Sequence, residues 1–84
     1  MESMNIYILI RTHNCETEEL GRYYFRRRKS AVEKARELMD EELPKRRKTR
    51  QDDIDYGVNE LDKNGFTQYS MLYSEYRIVK ETLN

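Results

Sequence analysis

The chain has 84 residues, 37% of them apolar and 38% charged, with 16 bases balancing 16 acids. That length fits one domain, residues 1–84, which on folding hides only about 60–65% of the surface its unfolded chain exposes, so dimerisation would be a natural way to bury more. Zero net charge argues against an acidic nucleic-acid mimic and against nucleic-acid binding through overall charge.

Residues 5–12 alternate, with Ile6, Ile8 and Ile10 on one side and Tyr7, Leu9 and Arg11 on the other. This pattern predicts a strand, and a face holding Tyr and Leu predicts a central one. Residues 13–19 read as a polar loop. A second strand is predicted over residues 20–27, with Tyr23 and Phe25 on one face and Tyr24 on the other, close enough to the first for an antiparallel hairpin.

Ser30-Ala31-Val32-Glu33 has the spacing of a capping box, and Ala31, Val32, Ala35, Leu38, Met39 and Leu43 then recur at helical spacing. Pro44 stops the pattern, because it donates no hydrogen bond and disfavours helical geometry at Leu43. A helix is predicted over residues 31–42. Its end charges are inverted. Arg26-Arg27-Arg28-Lys29 stand at the end that favours acids, and Asp40-Glu41-Glu42 at the end that favours bases.

Residues 45–53 carry no apolar side chain and predict a charged, solvated loop. From Ile54 alternation returns. With Asn64-Gly65 as a two-residue turn, Val58 would face Met71 and Tyr56 would face Tyr73 in a second hairpin. Residues 76–83 fit either a strand or a short helix capped by Ser74, and the β-branched Ile78-Val79 pair favours the strand. The expected fold is α+β: one antiparallel sheet of four to five strands, ordered β-β-α-β-β with the fifth at the C-terminus, and one amphipathic helix packed on one face.

Candidate sites follow from charge and aromatic content. Arg26, Arg28 and Lys29 beside the helix entrance would suit a phosphate or carboxylate. Lys45, Arg46, Arg47, Lys48 and Arg50 form a second basic run, and the two runs, 26–29 and 45–50, could instead track a nucleic-acid backbone. Flanking acids oppose that use. Seven tyrosines against two phenylalanines and no tryptophan suit protein contact. Tyr7, Tyr24, Tyr69 and Tyr76 cannot all share a core face with Ile6, Phe25 and Met71, so some must lie outside it, and Tyr24 is the contact candidate.

No catalytic, metal or cofactor set emerges. His13 and Cys15 lack a second ligand pair, and the glycines are scattered, so no phosphate loop forms. A single cysteine suits a reducing cytoplasm, and the apolar run 6–10 is too short to cross a membrane. In size, charge blocks, tyrosine excess and solitary α+β architecture the chain resembles the small accessory proteins of phages and mobile elements, such as anti-CRISPR proteins. That resemblance implies a non-enzymatic inhibitor or regulator that binds a larger intracellular protein, and it carries no site residue. Nucleic-acid binding and self-association as a homodimer are the alternatives.

Overall fold

The computed structural model describes residues 4–13 and 18–83. Cys15 and most of the loop expected between the first two strands lie outside the described residues. In chain order the elements are β1 (Met4–His13), β2 (Glu19–Phe25), α1 (Arg28–Glu42), α2 (Arg50–Asn64), β3 (Phe66–Thr67) and β4 (Ser74–Leu83). The strands form one antiparallel sheet of four, in the order β2-β1-β4-β3. The α+β class and the single antiparallel sheet are as expected. The strand order and the single helix are not.

β1 is central, as its two-sided apolar pattern predicts. It pairs with β2 from Tyr7↔Phe25 to Thr12↔Glu19, with an irregularity at Arg11/Thr12, and with β4 along its whole length, from Met4↔Leu83 to His13↔Ser74. The favoured reading of the C-terminal segment as a strand holds, and it is the long strand that returns beside β1.

The largest correction concerns residues 50–64. The expected hairpin about Asn64-Gly65 is a helix, and only residues 66–67 pair as a strand. Ile54, Val58 and Leu61 lie four and three apart, so they line one helical face, and all three are buried. Asp52 and Asp53 occupy the first turn and Lys63 the last, the polarity that a helix dipole favours. Gly65 ends the helix at φ 75°, with its N–H bonded to Leu61 O at 2.7 Å. The asparagine–glycine pair is therefore a helix terminus rather than a hairpin turn, both of which need positive φ. The charged loop shrinks to residues 45–49, since residues 50–53 belong to α2.

α1 also starts earlier than its capping box implies. Arg27 is the N-cap, and the Ser30 N–H already donates to Arg27 O at 3.1 Å, so Ser30 lies inside the first turn and caps nothing. Its C-terminus agrees with the proline stop, with Leu43 extended at ψ 137°.

Both helices pack on one face of the sheet. The core joins Leu9 and Tyr76 from the strands, Ala31, Ala35, Leu38, Met39 and Leu43 from α1 and its end, and Ile54, Val58 and Leu61 from α2. Gly57 lets the helices close: a β-carbon there would sit 3.1 Å from both Met39 Sδ and Leu72 Cδ1. No helix among the described residues is long and apolar enough to cross a membrane.

Candidate interaction surface

The basic runs are the first place to look, and the fold takes them apart. Arg28 reaches across to the C-terminus of α2. Its Nη1 donates to Asp62 Oδ1 at 2.5 Å, and its Nη2 donates to Asp62 O at 2.5 Å and Leu61 O at 3.5 Å. Arg50 does the converse, donating from Nη2 to Asp40 O at 2.7 Å and to the Asp40 carboxylate at the end of α1. Arg36 bonds Asp55 at 2.9 Å midway between them. The helices are thus antiparallel. A cation at the wrong end of its own helix stands at the right end of its neighbour, where it satisfies terminal carbonyls.

Arg47 is likewise engaged. Its Nε donates to Asp53 Oδ2 at 2.5 Å, beside hydroxyl donation from Thr49 at 3.0 Å and from Tyr69 to Oδ1 at 2.9 Å. Burial pushes the Asp53 carboxyl up, but the bonds from Tyr69, Arg47 and Thr49 outweigh it and hold the group below the usual carboxylate range. Arg28, Arg47 and Arg50 therefore belong to the fold. Arg26, Lys29, Lys45, Arg46 and Lys48 are exposed, and their side chains make no hydrogen bond or ion pair with another described residue. They fall at opposite ends of α1, about 22 Å long for 15 residues. Exposed Glu33, Glu37 and Asp40 stand between them, and with Arg36 they line a groove between the helices. The two runs do not form one anion-binding track.

Glu42, the last of the three acids closing α1, is the most heavily used polar side chain. Oε2 accepts from Arg11 Nη2 at 2.8 Å and from Tyr76 Oη at 3.0 Å, while Oε1 accepts from the N–H of Tyr73 at 3.0 Å and of Ser74 at 3.3 Å. Arg11 Nε also donates to Ser74 Oγ at 2.8 Å. The Glu42 side chain is only 6% exposed. Four donors occupy its two oxygens, so the cluster ties α1 to β1 and β4 and leaves no acceptor turned to a substrate. Among the described residues no group of three or more His, Cys, Asp or Glu could hold a metal ion.

Burial, and then the charge of Glu42, push the Tyr76 phenol well above its ordinary value of 10.0. The unfolded chain ionises first, so this contribution to stability is complete below about pH 10 and is lost as pH rises beyond it, by about 1.4 kcal/mol per pH unit. Tyr76→Phe is expected to flatten the fall in the urea midpoint between pH 10 and 11. Tyr69, raised by its bond to Asp53, keeps part of the slope. Parallel profiles for the two proteins would refute the assignment.

The opposite face of the sheet is different. Cross-strand partners share a face, so the helix side carries Tyr7, Leu9 and Arg11, Tyr23 and Phe25, and Tyr76 and Ile78. The outer side carries Met4, Ile6, Ile8, Ile10 and Thr12 from β1, Arg22 and Tyr24 from β2, Glu75, Arg77, Val79, Glu81 and Leu83 from β4, and Phe66 from β3. Both helices lie on the other side, and no described element covers this one. Ile8, in a row between Tyr24 and Val79, is 3% exposed yet belongs to no part of the helix-side core. Around it Ile6, Ile10 and Val79 are half-buried and Met4, Tyr24 and Leu83 are exposed, Tyr24 by 62%. Arg77 lies over the Phe66 ring, 5.2 Å from its centroid.

Tyr7, Tyr69 and Tyr76 pack with the core, where Tyr69 and Tyr76 find carboxylates for their hydroxyls, and Ile6 takes the outer face. Tyr24 is the one site candidate that the outer face retains. Ile6, Ile10, Arg77, Val79 and Glu81 were not singled out as site residues. The signal was the strict Ile6-Ile8-Ile10 alternation, which cannot by itself say which side of a central strand the helices will choose. Comparisons with protein-family models, with curated proteins and with solved structures found no match for the chain.

Proposed function

We propose that this chain is a protein-binding module whose contact surface is the outer face of its sheet. The carrying observation is the row of β-branched side chains on that face, Ile6, Ile8, Ile10 and Val79, with Tyr24, Met4 and Leu83 exposed around it and no described element over it. Contiguous apolar surface edged by charge is how interaction sites differ from ordinary surface, and an exposed tyrosine adds rigid contact area. Nucleic-acid binding has less support, because the cations left unpaired stand at opposite ends of α1 with acids between them.

A photo-crosslinking side chain at position 10 or 79 tests the reading against the same group at positions 29 and 46. Covalent protein adducts are expected from positions 10 and 79. Adducts from 29 and 46 alone would move the contact surface to the basic runs and overturn the proposal.

A further inference from the structure

Resting on that binding face, we infer that its occupant is a second copy of this chain, packed face to face about a two-fold axis that runs across the strands through the row Tyr24–Ile8–Val79. A two-fold contact must be self-complementary: if one residue meets another, the second meets the first across the axis. The outer face has that property over the three middle rows of its two central strands, Ile6–Glu81, Ile8–Val79 and Ile10–Arg77. In β1 Ile6 and Ile10 flank Ile8, so Ile8 would meet its own copy and Ile6 would meet Ile10 of the second copy. At the ends Met4 would meet Thr12 and Leu83 would meet Glu75. In β4 the charges are antisymmetric about Val79, which shares the Ile8 row. Arg77 would therefore meet Glu81 of the second copy, and Glu81 its Arg77, flanking a Val79 pair.

Other orientations lose this match. A two-fold parallel to the strands and centred on β1 sets Arg22 against Arg77, like charges facing each other. The same axis moved between β1 and β4 places Arg77 and Glu81 on the isoleucines, leaving both charges to be buried without partners. The transverse axis does bring Arg22 toward Arg26 of the other copy, but at the rim, and Arg22 is already paired with Glu19 at 2.7 Å. Aligned sheets pack at about −30°, which keeps central strands over central strands.

Size agrees with a modest dimer. β1 and β4 pair over the nine rows from Met4 to Thr12 and β2 joins them over six, a patch about 26 Å long and about 14 Å across at its widest. With side-chain relief this is on the order of 450 Å² per copy and about 900 Å² in total, the range of weak, transient association. Ile8 is already closed in by its neighbours, so the gain comes from Ile6, Ile10, Val79, Tyr24 and Met4. The association should therefore depend on concentration.

Sedimentation velocity of the full chain from about 10 µM to 1 mM reads this directly. The expected result is a shift toward twice the 10.3 kDa chain mass. Arg77→Glu and Glu81→Arg, each alone, put like charges across the interface and should weaken dimerisation at least about 10-fold. The double variant Arg77→Glu/Glu81→Arg restores opposite charges and should return to within about 3-fold of the parent, which a general loss of folding could not produce. A parent that stays monomeric at 1 mM, or a double variant no better than the singles, overturns the dimer. Crosslinks from position 10 to a different protein, with a monomeric parent, overturn it too while leaving the binding face in place.

Discussion

Glu42→Ala is expected to lower the unfolding free energy by about 3–5 kcal/mol, because it strips the paired carboxylate from a half-buried arginine and from three further donors. Arg11, the Tyr76 hydroxyl and the N–H groups of Tyr73 and Ser74 would all lose their acceptor at once. A chain of this size has about 4–13 kcal/mol in total, so the variant should stand near the edge of folding, with its melting temperature about 15–25 °C lower. Glu41→Ala is the control. Glu41 is the preceding acid, exposed and without a bond to any other described residue, and its loss should change stability by less than about 0.5 kcal/mol. Thermal and urea melts followed by circular dichroism compare the two. Equal effects would mean that the acid block acts only through its bulk charge.

The second large effect separates the helix from the hairpin it displaced. Leu61 is 0% exposed within the core cluster, and Leu61→Ala should cost about 2–5 kcal/mol through lost transfer energy and the cavity left behind. Tyr56, on the opposite side of α2, is 52% exposed, and its ring lies 4.5 Å from that of Tyr69. Tyr56→Ala should cost only about 0.5–1.5 kcal/mol, the worth of an aromatic pair. In a strand running from Ile54 the order would reverse, since Tyr56 would share the buried face with Ile54 and Val58 while Leu61 faced away. Urea midpoints of the two variants decide it, and a Tyr56→Ala loss larger than that of Leu61→Ala would sink the helix assignment.

Residues 54–58 show why that part of the fold was misread. A spacing of four residues satisfies a strand, in two steps of two, and a helix, in one turn, so Ile54 and Val58 fit both periods. Tyr56 tilted the reading toward a strand, and Asn64-Gly65 supplied the turn that a hairpin needs. Gly57 and Leu61 carried the helical signal, but the value of Gly57 lies in its closeness to Met39 and Leu72, which are remote in sequence. The capping box misled similarly: Ser30 and Glu33 have the right spacing, while the chain enters the helix from Arg27.

The inverted charges of α1 have the same lesson. Considered on one helix they break the dipole rule and suggest an anion site. Beside an antiparallel neighbour, Arg28 meets the carbonyl end of α2, Arg50 meets that of α1, and Glu42 meets Arg11 from the sheet. Three of the cations expected to face a partner, Arg28, Arg47 and Arg50, are paired within the fold instead.

What the sequence determined by itself is what local periodicity can encode: β1, β2 and β4 as strands, most of α1 with its proline stop, and an antiparallel α+β domain. Only the tertiary structure decided that a second helix forms, which side of β1 is covered, and which charges remain for a partner. The reason is physical. A period fixes which residues share a face, but the choice of which face to bury depends on what the rest of the chain can pack against it. Here the helices took the side with Leu9 and Tyr76, whose hydroxyl finds the buried Glu42 carboxylate, and the isoleucines were left facing outward.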